Sequence, residues 1–75
     1  MKNMNDYIQK IIVNNDDHCQ AIAQLLMLLD KNKAHSLVLN YKQNTKLPEI
    51  KVILVDEILT GLKGLLDIHP HQIGI

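Results

Sequence analysis

His18 and Cys19 set an imidazole beside a thiol, the residue types of a base and the nucleophile it activates. On a helix, adjacent side chains leave the axis roughly 100° apart, and no third group stands out to orient the pair. These residues therefore read as structural, with Cys19 a small buried apolar side chain and His18 a surface residue of a first helical turn. Asp67, His69 and His71 offer a carboxylate and two imidazoles at alternate positions around Pro70. A metal wants three or four well-held ligands, and a terminal segment holds them poorly, so no metal is expected there. Val52 to Val55 followed by Asp56 and Glu57 has the outline of a Walker B strand. In such a strand the first carboxylate supports magnesium and the second polarises a water. No G-x-x-x-x-G-K-[ST] loop accompanies it to hold phosphates. The two acids then read as the wet edge of an apolar element. With no convincing nucleophile or acid–base pair, the sequence is read as that of a protein that is not an enzyme and uses no cofactor.

Composition narrows the remaining classes. The chain has 75 residues, a formal net charge of zero and a pI near 6.9. A neutral balance argues against a strong footprint for nucleic acid or acidic membranes. All eight basic residues are lysine, so the bidentate fork that reads guanine edges and clamps phosphates is missing. Lys31, Lys33, Lys42, Lys46 and Lys51 nevertheless fall in a stretch whose only acid is Glu49. Cys19 is the single cysteine; no internal disulfide is possible, and a lone thiol suits a reducing cytoplasm. No secretory signal is seen at Met1–Lys10, and no run approaches the roughly eighteen apolar residues of a membrane span.

A domain of this size buries only about 60% of its unfolded surface. Tyr7 and Tyr41 are the only aromatic residues, so the core must be aliphatic.

Four elements arise from the hydrophobic spacing. Met4, Ile8, Ile11 and Ile12 form a helical stripe, although the β-branched Ile11–Val13 also permits a strand. Asn14 to Asp17 marks a boundary with cap residues and two carboxylates for the next helix's positive end. That helix spans Asp16–Leu29, and its Leu25–Leu29 run (Leu-Leu-Met-Leu-Leu) leaves it apolar almost all round. A surface helix needs a stripe only somewhat over 100° wide, so this one is central to a bundle or covered in an oligomer. Asp30 to Lys33 reads as a polar break, and Ala34, Leu37, Val38 and Tyr41 as a short third helix. Pro48–Leu66 is the longest helix, since proline suits a first turn. Its apolar arc of roughly 200° leaves Ile53 among polar neighbours, while Lys51 lies within the arc and snorkels. Gly61 and Gly64 each cost about 1 kcal/mol against alanine unless they permit close packing.

The resulting expectation is a small all-α bundle of about four short helices, completed by oligomerisation. It comprises one domain over residues 1–68 and a loose tail over 69–75. The rival is an α+β fold with a short hairpin at 36–55, which would account for Ile53.

Two oversized apolar helices in so short a chain point to self-association. The seam is placed on Ile50, Leu54, Ile58, Leu62 and Leu65, in a homodimer acting as a regulator or adaptor that docks on a further protein. A second reading takes the second and third helices as a helix-turn-helix. Lys33, His35, Asn40 and Lys42 would then face DNA.

Overall fold

The computed structural model describes residues 4–67, and the tail expected over 69–75, with His69 and His71, lies outside them. Four helices follow in order: α1 (Met4–Asn14), α2 (His18–Leu28), α3 (Lys31–Asn44) and α4 (Glu49–Leu66). Among the described residues there is no strand, so the hairpin at 36–55 does not form.

Each helix starts and stops for a local reason. Asp17 caps α2 by accepting the Cys19 amide at 2.8 Å, which satisfies one of the orphan donors of a first turn. The helix therefore begins at His18, two residues later than the sequence reading. Asp30 does the same for α3, accepting from the Lys33 amide at 2.8 Å. The residues read as a polar break, Lys31 to Lys33, are thus the first turn of α3, and Leu29 and Asp30 alone join α2 to α3. Pro48 is the residue before α4, not its first. Its carbonyl accepts the amides of Lys51 and Val52 at 2.9 and 3.0 Å.

The end of α1 has no basic residue in its last turn. Helix ends leave carbonyls without intrahelical partners, and here side chains meet them. Asn15 donates to the Ile11 carbonyl at 2.8 Å. Lys51, from the start of α4, donates to the carbonyls of Ile12 and Asn15 at 2.9 Å each and reaches that of Val13 at 3.4 Å.

The helices surround one aliphatic core. Ile8, Ile11 and Ile12 come from α1, Ala21 and Leu25 from α2, Ala34, Val38 and Tyr41 from α3, and Leu54, Val55, Ile58 and Leu62 from α4. Helices α3 and α4 run antiparallel, pinned at one end by Lys31 donating to the Leu65 carbonyl at 3.0 Å and further along by the Lys42–Asp56 ion pair. Helices α2 and α4 run parallel, with His18 beside Glu57 and Ile22 against Gly61. Asn15 is the buried polar residue of this core. Its side chain exchanges hydrogen bonds with that of Gln24, donating at 3.0 Å and accepting at 3.4 Å.

The two helical glycines are not equivalent. A Cβ at Gly61 would lie 2.6 Å from Ile22 Cδ1, whereas one at Gly64 would meet nothing within 4 Å. Neither has positive φ. Gly64→Ala is therefore expected to raise stability by about 0.5–1 kcal/mol, the helix-propensity gain. Gly61→Ala should fall short of that, because Ile22 must move aside. Urea unfolding of the two variants checks this, and equal gains would mean that the α2–α4 approach at Gly61 is not tight.

Candidate functional site

With the core assigned, the seam proposed on α4 changes character. Leu54, Ile58 and Leu62 are buried inside the single chain, and Leu65 packs partly buried against the same core. Of the five residues, Ile50 alone stands exposed, at 73%. This corrects the placement. The arc was wide because α4 meets α1, α2 and α3 together, so its width reports three intramolecular neighbours rather than a second copy. Ile53, unexplained by the wheel, lies on the surface at 55% exposure.

The apolar excess lies mainly on α2. Ala21 and Leu25 face the core, while Met27 and Leu28 are 79% and 67% exposed. Gln24, Met27 and Leu28 stand at i, i+3 and i+4, so they share one side of the helix. Gln24 and Met27 border α1. Tyr7 donates its hydroxyl to the Gln24 carbonyl at 2.8 Å. Tyr7, Lys10, Ile11, Asn14, Gln24 and Met27 line a shallow groove of about 240 Å³ between the two helices. Lys10 is the one charged residue in this lining.

A second groove, of about 400 Å³, lies between α2 and α4, lined by His18, Ile53, Asp56, Glu57, Thr60 and Gly61. Its character is different, because two carboxylates border it. Next to His18, Cys19 is exposed, not buried, and its Sγ lies 3.5 Å from His18 Nε2. The roughly 100° between adjacent side chains describes where they leave the helix. In a first turn there is no preceding turn to block the ring, so the imidazole swings back to the thiol. Sequence periodicity alone does not report this closeness.

The residues assigned to DNA do not form one surface. Lys33 and Asn40, seven apart, lie on one flank of α3, and His35 and Lys42, also seven apart, lie roughly 160–200° away on the other. Between the flanks, the outward face carries Asn32, Ser36, Leu39 and Gln43, all exposed and all uncharged. Asn40 also bonds to the Asn44 side chain at 2.7 Å. The lysine-rich stretch has structural work: Lys31 and Lys51 cap helix ends, and Lys42 pairs with Asp56.

No described helix is long and apolar enough to cross a membrane. No protein-family model, curated protein or solved structure matches this chain.

Proposed function

We propose that this protein acts by binding, as a small self-associating regulator or adaptor, and that α1 and α2 supply the shared surface. The observation that carries this is the exposure of Met27, beside Tyr7 in a groove with one charged residue, and of Leu28 next to it in the chain. Interface centres are depleted of charge and enriched in Tyr and Met, and a methionine adapts to an irregular partner. A two-fold pairing brings each patch against its own copy. On the α1–α2 face, that pairing opposes mostly neutral side chains, with Lys10 as the one charge in the groove. On the face of Ile50 and Ile53 it would oppose Glu57 with the same carboxylate, next to the Lys42–Asp56 ion pair. Each exposed Leu or Met that becomes fully buried contributes about 1.5–3 kcal/mol, against the ordering cost of association. A further protein docks on the assembled dimer. The single exposed thiol fits a reducing, cytoplasmic setting.

Light scattering behind size exclusion, across a dilution series, tests the reading. The native chain is expected to run at twice its monomer mass of 8.6 kDa. Met27→Lys with Leu28→Lys should return it to the monomer without loss of helix signal, and Ile50→Lys should leave the dimer intact. A native monomer at every concentration, or a dimer indifferent to the α2 variants, would overturn this placement.

A further inference from the structure

The carboxylate of Asp17, the imidazole of His18 and the thiol of Cys19 bring their donor atoms within 4.8 Å of one another at the start of α2. We infer that these three side chains form a binding site for a borderline-soft divalent metal of the zinc class, with Glu57 orienting the histidine.

Three features of the geometry support this. First, the spacing fits. A tetrahedral centre with a metal–sulfur bond of about 2.3 Å and a metal–nitrogen bond of about 2.0–2.1 Å holds sulfur and nitrogen about 3.5 Å apart. Cys19 Sγ and His18 Nε2 stand at 3.5 Å. Second, a carboxylate stands near the histidine's far nitrogen, where an outer partner of a metal-bound histidine would be. While Nε2 faces the thiol, Nδ1 lies 3.8 Å from Glu57 Oε1 across the α2–α4 packing, an ion-pair separation that must shorten to become a hydrogen bond. A carboxylate on the far nitrogen fixes ring orientation and raises ligand basicity. Third, the Asp17 carboxylate is already anchored beside the cysteine, because Oδ1 accepts the Cys19 amide at 2.8 Å.

The donor set chooses the metal. One sulfur, one nitrogen and one oxygen suit zinc or cobalt, not magnesium or calcium, which demand shells of oxygen. Metal binding displaces the thiol proton to solvent and leaves a thiolate–metal bond. Three protein ligands leave a fourth position for solvent or a partner's donor atom, the arrangement of an open rather than a closed zinc site.

The site is independent of the α1–α2 face, and its test is spectroscopic. Reduced protein is titrated with cobalt(II) alone, followed by its thiolate-to-metal charge-transfer band, and then competed with zinc. One equivalent should saturate the band, and zinc should displace it. Cys19→Ser should abolish the band, and His18→Gln and Asp17→Asn should each weaken binding at least tenfold; asparagine retains the helix cap. Glu57→Gln should weaken it about 10–100-fold through loss of the outer partner. All four side chains lie outside the buried core, so circular dichroism should report folded variants. Absence of a saturable band overturns the site. A band unchanged by His18→Gln reduces it to a thiol alone, and an unchanged affinity in Glu57→Gln removes the orienting role.

Discussion

Ile58→Asp is expected to unfold the chain. Ile58 has no exposed surface and sits in α4 among Leu54, Val55 and Leu62, where the other three helices converge. A carboxylate there replaces an aliphatic side chain among Leu54, Val55 and Leu62, and its desolvation places the substitution in the rare class above about 4–5 kcal/mol. Natural stabilities of roughly 0.05–0.15 kcal/mol per residue give a chain of this size about 4–11 kcal/mol in all. The cost is therefore comparable to the whole.

Ile58→Ala is the graded form. Lost transfer energy and the residual cavity should cost about 2–5 kcal/mol, lowering Tm by at least about 8 °C in a domain this small. Ile53→Lys, five residues earlier on the exposed side, is the control and should change stability by no more than about 0.5 kcal/mol. Thermal and urea unfolding followed by circular dichroism measure all three. If Ile58→Ala kept its Tm but lost oligomeric mass, Ile58 would return to an intermolecular seam and the core assignment would fail.

The contrast between Ile58 and Ile53 also shows what the sequence makes legible. Helical spacing finds all four helices, because 3.6-residue periodicity is a local property of each segment. The β-branched run from Ile50 to Val55 did not become a strand. Its buried members, Leu54 and Val55, continue into Ile58 and Leu62 at helical spacing, so burial along α4 outweighs local β preference.

Partnership is not local. An apolar arc reports how much cover a helix needs, not whether the cover comes from the same chain. For α4 it came largely from α1, α2 and α3, so Leu54, Ile58 and Leu62 of the expected seam are core while Ile50 is exposed. For α2 the cover is incomplete, and the Leu25–Leu29 run that signalled excess in the sequence still leaves Met27 and Leu28 exposed. The same limit applies to His18. Its neighbour Cys19 was visible in sequence, but Glu57 on its other nitrogen lies 39 positions away and appears only once α2 and α4 lie parallel.

The strongest long-range dependence is that of α1 on Lys51, and Lys51→Met should expose it. The ammonium is the shared partner of three carbonyls at the end of α1, and its side chain is only 19% exposed. A cation there also opposes the negative end of the helix. Hydrogen bonds to a charged group contribute about 1.5–3 kcal/mol, and methionine keeps much of the apolar stem while removing the donor. The expected loss is therefore about 1.5–3 kcal/mol, most of it from carbonyls left without a partner. Asp16, fully exposed at 3.4 Å from the ammonium, adds little, so Asp16→Asn should be nearly silent. The effect has a location as well as a size. Hydrogen exchange should quicken first at the amides of α1's last turn, from Ile11 to Asn14, while the α3–α4 pair remains protected. Uniform acceleration across all four helices would mean instead that Lys51 supports the core as a whole and that α1 has no separate dependence on its cap.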